Sequence, residues 1–290
     1  MSVSSQASLV DHIEAHHKIS LKNLSSLATG FGIEGVKAHL ADGRAVAVKS
    51  QLAAASDEFL LEAEMLETLG KTGWPVPEII AADQHCLIMS WLDNDGSSLS
   101  VAGEFQVGAE LARLHALPCK AFGFEKTTPI GRLPQNNGLT SSWVEFFKTN
   151  RLLSMAGRAF EQGRLPARLW ERLQVFVDQL DDIIDEPDAP SLLHGDIWGG
   201  NVLVSNGQLS GFIDPAIYYG HREIELAFTQ MFHTFGSAFF KGYQSVTPLD
   251  ADFFQHRLEV YNLYPTLVHV VLFGGSYLPP IERVLQKFGV

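Results

Sequence analysis

The stretch "HGDIWGGN", His194 to Asn201, decides how this chain reads. Its eight residues carry an imidazole, a carboxylate, an indole and a carboxamide among three glycines. A turn needs glycine and asparagine but not that ordered set, so the extra polar groups point to chemistry held in a loop. The flanking text, "SLLHGDIWGGNVLV" and then "LSGFIDPA", reads as loop and strand inside a region that is otherwise mostly helical.

Upstream the pattern differs. After a short polar helix over about Gln6 to His17, Val36–Leu40 and Ala45–Lys49 read as strands around "ADGR", where Asp42-Gly43 is a hairpin signal. In "SDEFLLEAEMLETLGKTG" the residues Phe59, Ala63, Leu66 and Leu69 recur at helical spacing. Ser56 is placed to cap the start of that helix, and Gly70 or Gly73 to end it. "EIIAAD" and "HCLIMSWL" read as two further strands. The composition shift at Ser90–Ser98 sets a boundary between a strand-rich lobe, 1–92, and a helical lobe, 93–290.

Composition narrows the function classes. With 33 acidic against 21 basic residues the net charge is −12, which opposes nucleic acid or an anionic membrane as partner. A few local donors and a metal ion still suffice for a phosphorylated small ligand. The N-terminus lacks the charged start and apolar core of a signal peptide, and no apolar run reaches membrane-spanning length, so a cytosolic protein is expected. Cys86 and Cys119 stand in no C-x-x-C arrangement and read as two thiols in a reducing compartment.

His194-x-Asp196-x4-Asn201 has the spacing of the kinase catalytic loop, with Gly195 where that loop carries arginine. Thirteen residues after Asn201, Asp214 follows an apolar strand as the metal-binding aspartate of kinases does. Lys49 ends the strand "VAVK", and Glu62 or Glu64 on the next helix is placed to pair with it. Phosphoryl transfer explains the set. An ammonium (Lys49) meets the phosphates, magnesium takes hard oxygen ligands (Asn201, Asp214), and a second carboxylate (Asp196) orients the acceptor hydroxyl and takes its proton. Each element alone has a bland reading as a strand end, a turn residue or a solvated helix face. The conjunction at kinase intervals decides against them. "GFGIEG", Gly30–Gly35, matches G-x-G-x-x-G but precedes a strand, so it reads as a phosphate-covering flap and not as a dinucleotide fingerprint. His12, His16 and His17, without an acidic or cysteine partner nearby in the sequence, read as an exposed helix face. His115, in "VGAELARLHAL", reads as a packed or capping group.

The chain resembles the fructosamine kinase (ketosamine 3-kinase) family, relatives of aminoglycoside and choline phosphotransferases. "FLLEAEMLETL", "LIMSWL", "GRLPQNN", "SSWVEFFKTNRLL", "LLHGDIWGGNVLV" and "GFIDPAIYYGHREIELA" carry the resemblance in that family's order, across roughly residues 30–240. It implies an α+β, two-lobed, protein-kinase-like fold with a small β-rich first lobe and a larger helical second lobe. It also implies ATP and Mg2+ as cofactors and a sugar hydroxyl of a small-molecule ketosamine as acceptor. By position, Lys49 and Glu62 become the phosphate-holding pair, Asp196 the base, and Asn201 and Asp214 the magnesium ligands. Gly32 falls in the nucleotide loop, Ser90 and Leu92 after Met89 in the adenine hinge, and Trp198 at the sugar. Three departures stand out. Phe31-Gly32 replaces paired glycines, Ser90 replaces an acidic hinge residue, and Glu225 replaces an aspartate, a change expected to loosen support of the catalytic loop. The competing reading of Trp198, weaker than the sugar contact, is a core residue packed under the loop. The alternatives are an aminoglycoside- or choline-type phosphotransferase, which Trp198 and "YYGHRE" disfavour, and an inactive kinase-like binding module, which the intact Lys49, Asp196, Asn201 and Asp214 disfavour. A protein kinase would need an A-P-E activation segment, which does not follow Asp214.

Overall fold

An amphipathic helix opens the chain. α1 (Val3–His17) turns Leu9 and Ile13, one helical turn apart, into the core. Five antiparallel strands follow: β1 (Lys22–Leu27), β2 (Glu34–His39), β3 (Ala45–Ser50), β4 (Ile79–Ala82) and β5 (Cys86–Ser90), in the order β1-β2-β3-β5-β4. α2 (Glu58–Gly70) runs between β3 and β4, and Ser56 Oγ accepts the Glu58 N–H at its start (3.2 Å), as its sequence position predicts. The computed structural model describes every residue except Met1, Ser2, Thr29 and Phe31, so the Phe31 half of the nucleotide-loop departure lies outside the described residues.

The two-residue period of β5 sorts the core into two layers. Cys86 and Ile88 join Leu9, Ile13, Val36, Val46 and Val48 on the α1 face, while Leu87 and Met89 meet Phe59, Ala63 and Leu66 of α2 on the other. Each fully buried aliphatic side chain contributes about 1.5–3 kcal/mol relative to exposure, so α1 and α2 fix the sheet from both sides. β1 was not legible in the sequence. It is a polar edge strand, mostly exposed, whose pairing with β2 is irregular between Lys22 and Ser25, with Asn23 at positive φ. Of the three α1 histidines read as an exposed face, His16 is exposed, but His12 and His17 are not. His12 and His17 both bond Asp83 Oδ2, at 2.8 and 2.7 Å. Asp83 lies more than sixty residues away, which local spacing does not register.

The chain forms two compact units. One runs to Ser98 and takes back the hairpin segment Val202–Pro215; the other comprises Leu99–Asn201 and Ala216–Val290. The hairpin Val202–Ser205/Gln208–Phe212 joins the first unit through tertiary bonds: Asp95 N–H to Val204 O (3.1 Å), Asn206 N–H to Asp95 Oδ2 (2.8 Å) and Phe212 N–H to Pro75 O (2.8 Å). The Trp74 ring stacks on Phe212 at 4.7 Å. A boundary drawn at 92 from composition does not register those bonds.

The second unit is mainly helical. α3 (Val101–His115) is capped by Ser100, whose Oγ accepts the Gly103 N–H at 3.1 Å. A continuous helix from Trp143 to Glu161 contains a π-helical stretch, Phe147–Leu153. The short strands Ser191–Leu193 and Tyr218–Gly220 pair antiparallel, with Leu193 opposite Tyr218, and bracket the segment that opened the sequence reading. Among the described residues no helix is long and apolar enough to cross a membrane. Both cysteines are free thiols, Cys86 buried and Cys119 partly so.

Candidate active site

In the first unit the charged residues converge on Lys49. β3 alternation turns Lys49 to the same face as Ala47, toward α2. On α2, Glu62 lies within one turn of the buried Phe59 and Leu66 and so faces the sheet, whereas Glu64 is rotated about 200° further round the helix. Lys49 Nζ meets Glu62 Oε1 at 2.6 Å and also ion-pairs with the Asp214 carboxylate. Of the two glutamates the sequence left open, Glu62 is the one that meets Lys49. Burial alone would strip the Lys49 proton, but Glu62 and Asp214 outweigh it and hold the ammonium's pKa above its ordinary range. Burial also raises the Glu62 carboxyl, against the pull of Lys49.

Asp214 sits two residues beyond the last strand of the hairpin in a left-handed conformation (φ 55°), with a side chain 45% exposed. Aspartate is among the few side chains that tolerate that region. Gly32 also has positive φ (80°), in the turn before β2. Met89 is buried against α2, and Leu92 follows half-buried. Ser90 gives its N–H to Glu78 O and accepts the Glu78 N–H at Oγ, both at 2.9 Å.

In the second unit the loop is braced from below. Asn201 Nδ2 donates to Asp196 O and to Asp196 Oδ2, each at 2.9 Å. That orients the Asp196 carboxylate and uses the Asn201 amide nitrogen, so any metal contact of Asn201 would fall to Oδ1. Glu225, buried, accepts the Gly195 N–H at Oε1 (2.6 Å) and the His194 N–H at Oε2 (3.2 Å). His115 donates Nε2–H to the same Oε2 (3.0 Å), and its Nδ1 lies 2.9 Å from the Tyr243 hydroxyl. The expectation that glutamate at 225 loosens the loop is therefore corrected. The longer side chain spans the distance and makes a short bond to Gly195. Gly195 itself cannot be the arginine of protein kinases. Its φ is +86°, and a Cβ there would stand 2.1 Å from Ala216 O.

"YYGHRE" resolves into supports for the same loop. His221 Nδ1 accepts the Glu223 N–H (3.0 Å) and caps the helix Arg222–Met231, on which Glu225 stands. Glu223 takes a bidentate bond from the Arg257 guanidinium at 2.6 and 2.7 Å. Burial, then the charges of Arg222 and Arg257, push His221 down to about 3, so it caps as the neutral imidazole.

Trp198 is 42% exposed, which excludes the core reading. Its indole lies over Gly200, where a Cβ would come within 2.4 Å of the ring, and 6.1 Å from the half-exposed Phe232 ring.

A buried polar knot in the second unit was missed by spacing arguments. Arg151 is fully buried in the π-helical stretch, donates to Asn136 O (2.6 Å) and Asn137 Oδ1 (2.7 Å), and stacks 3.9 Å from the Tyr218 ring. Gln135 donates to Ala216 O (3.1 Å) and accepts the Tyr264 hydroxyl (2.7 Å). These residues lie in "GRLPQNN" and "SSWVEFFKTNRLL", and the available signal was polar side chains inside otherwise apolar text. The Gln135 amide ties down the backbone at Ala216, while Arg151 Nε is buried with no hydrogen-bond partner among the described residues.

Taken each in its own unit, the two residue types suit magnesium, which takes hard oxygen ligands: the Asp214 carboxylate of the first unit is half-exposed, and the Asn201 carboxamide of the second is held by its own amide bonds. A strand lysine bound to a helix glutamate and an aspartate braced by asparagine in a glycine loop define a phosphotransferase of protein-kinase-like fold. Residues 4–289 match the model of the fructosamine kinase family, and the chain belongs to that family. It is 34% identical over 204 residues to a probable ketoamine kinase of Enterococcus faecium, covering 70% of this chain and 71% of that one. Over 182 residues it is 37% identical to a ketosamine-3-kinase of Mus musculus, covering 62% and 57%. A solved structure assigned as a fructosamine-3-kinase of Thermobifida fusca superposes with a TM-score of 0.88 at 29% identity, over 96% of this chain and 97% of that one.

Proposed function

We propose that the chain transfers the γ-phosphoryl group of ATP to a sugar hydroxyl of a ketosamine, a sugar adduct of an amine, in the cytosol. The observation that carries this reading is the Lys49–Glu62 pair in a chain whose Asp196 is braced by Asn201. Lys49 neutralises the α- and β-phosphates and is kept charged and in place by Glu62. Gly32 lies in the segment that covers the phosphates, and Met89, Ser90 and Leu92 receive the adenine. Asn201 Oδ1 and the Asp214 carboxylate hold magnesium, which when bound neutralises charge on the phosphate oxygens. Asp196 accepts a hydrogen bond from the acceptor hydroxyl, aligns it for attack and takes its proton as the new P–O bond forms and the bond from the γ-phosphorus to the bridging oxygen breaks, releasing ADP. The half-exposed Trp198 indole offers a flat face to the C–H side of the sugar ring, which leaves the ring hydroxyls to polar partners.

Gly195 in place of arginine and the absence of an A-P-E segment leave no phosphate-reading switch, so activity is constitutive. The test is a phosphate-transfer screen across ketosamines, aminoglycosides and choline with ATP and magnesium. Transfer to a ketosamine with little to the others supports the reading. Preferential transfer to an aminoglycoside or to choline overturns the acceptor assignment, and no transfer to any acceptor supports a binding module instead.

A further inference from the structure

The first unit carries a second cluster of chemically capable side chains, made from two segments far apart in sequence. His12 and His17 come from α1, and Asp83 and Cys86 from the turn and first residue that open β5. Their Nε2, Oδ and Sγ atoms all lie within 4.8 Å of one another. His12 Nε2 and His17 Nε2 stand 2.8 and 2.7 Å from Asp83 Oδ2, and Cys86 Sγ stands 3.8 Å from His17 Nε2.

We infer that these four side chains form a binding site for a zinc-class divalent transition metal, with an N2OS donor set, that ties α1 to the β4–β5 hairpin. The geometry is close to what such an ion needs. Tetrahedral zinc with bonds of about 2.0 Å to nitrogen and oxygen and about 2.3 Å to sulfur sets neighbouring ligand atoms about 3.3 Å apart, and about 3.5 Å where one is sulfur. The sulfur–imidazole separation matches within a few tenths of an ångström, and the two imidazoles have about 0.5 Å to withdraw from the carboxylate. Both rings already present Nε2 to the cluster, so the atom that would ligate is the one that faces the other donors.

The surroundings are those of a built site. Asp83 is locked by its other oxygen, which accepts the His85 N–H (2.7 Å) and the Cys86 N–H (2.9 Å), so Oδ2 is aimed at the imidazoles. The His17 end of α1 is fixed by the turn at Lys18 (φ 59°), which stops the helix. His16 stacks on His12 at 4.3 Å and His85 meets His12 edge-on at 5.3 Å, so the ligand ring is held between neighbours. Cys86 is fully buried while the histidines and Asp83 are part-exposed, which leaves an entry path from solvent and a dry sulfur side. On binding, the Cys86 thiol releases its proton to solvent, and each imidazole ligates through Nε2 as its Nδ1–H tautomer. The donor types exclude magnesium and calcium, which take oxygen, and favour zinc or cobalt(II).

The experiment uses the full chain, stripped with chelator and then titrated with zinc alone or with cobalt(II) alone, without nucleotide. The expected result is one tightly held zinc per chain by elemental analysis. The cobalt form shows a thiolate-to-cobalt charge-transfer band and the intense visible bands of a tetrahedral site. Cys86→Ser abolishes the charge-transfer band and weakens zinc binding by about tenfold or more, as does His17→Gln, while His16→Ala, outside the donor set, retains both. Phosphotransfer by Cys86→Ser and His17→Gln stays at the wild-type level, because neither residue belongs to the catalytic set. Absence of the charge-transfer band in the wild-type chain overturns the inference without recourse to any variant. So does zinc held equally well by Cys86→Ser and His17→Gln.

Discussion

Glu225 offers the sharpest test of how the catalytic loop is held. Its carboxylate accepts the N–H groups of Gly195 and His194 and the Nε2–H of His115, all in a buried setting. Glu225→Ala removes the acceptor from three donors at once. Each deprived donor costs about 1–3 kcal/mol, so a loss on the order of 3–6 kcal/mol is expected after allowing for non-additivity. That is a large part of a typical domain's margin of about 5–15 kcal/mol, and it makes the alanine variant a stability experiment. Glu225→Gln is the catalytic one. Its shape is the same, but one of its two terminal atoms becomes a donor facing a donor, so roughly 1–3 kcal/mol is lost and the Gly195 peptide is pushed. A displacement of about 1 Å at Asp196 is expected to lower kcat about 10²-fold. KM for ATP should stay within about twofold, because Lys49 and Glu62 belong to the other compact unit. Urea titration and steady-state kinetics on both variants read these quantities. A Glu225→Gln variant with wild-type kcat and wild-type urea midpoint would refute the claim that this carboxylate positions the loop.

Three further outcomes are expected. Asp214→Ala should abolish magnesium-dependent transfer, since no nearby side chain replaces the charge a bound ion neutralises; an unchanged magnesium titration of activity refutes the assignment. Trp198→Ala should raise KM for a ketosamine while the melting temperature barely moves, because a ring 42% exposed does not carry the roughly 3–5 kcal/mol of a buried tryptophan; a collapsed melting point with unaltered KM goes against it. His221 has a folded pKa depressed from 6.5 to about 3, so its contribution to stability is present above pH 6.5 and is lost as pH falls toward 3. Within that window the unfolded chain binds a proton that the folded chain does not, at about 1.4 kcal/mol per pH unit. His221→Asn keeps a capping oxygen but removes the titration, so its stability should fall less steeply over the same acid range; parallel curves contradict the account.

What the sequence disclosed and what it hid follow physical lines. Lys49, Asp196, Asn201 and Asp214 could be nominated from the sequence because phosphoryl transfer asks for those residue types at those intervals, while Glu62 and Glu64 both stood open until the helix face that meets Lys49 was in view. Trp198 was left between two readings, and its exposure removes the core one. β1 was invisible because an edge strand of polar residues carries no alternation. Asp83 and Cys86 were invisible as partners of His12 and His17 because their meeting is a tertiary event. Arg151 was hidden by the π-helical stretch, since a helix that changes period moves a residue off the face that 3.6-residue spacing assigns it. Glu225 was named for its difference from aspartate, but its reach was set by where the helix Arg222–Met231 starts, which depends on the His221 cap.

The central claim is that Asp196 orients and deprotonates a ketosamine hydroxyl, and one comparison tests it most directly. Wild-type chain and Asp196→Asn are each given ATP, magnesium and a ketosamine, and phosphorylated sugar is measured alongside nucleotide affinity. The asparagine keeps the size and an acceptor oxygen for the Asn201 amide but cannot take a proton. The account predicts phosphorylated ketosamine from the wild type, a turnover lower by roughly 10² or more in Asp196→Asn, and nearly unchanged ATP binding in both. Wild-type turnover in the variant, or a wild-type chain that leaves the ketosamine unphosphorylated while consuming ATP, would contradict it.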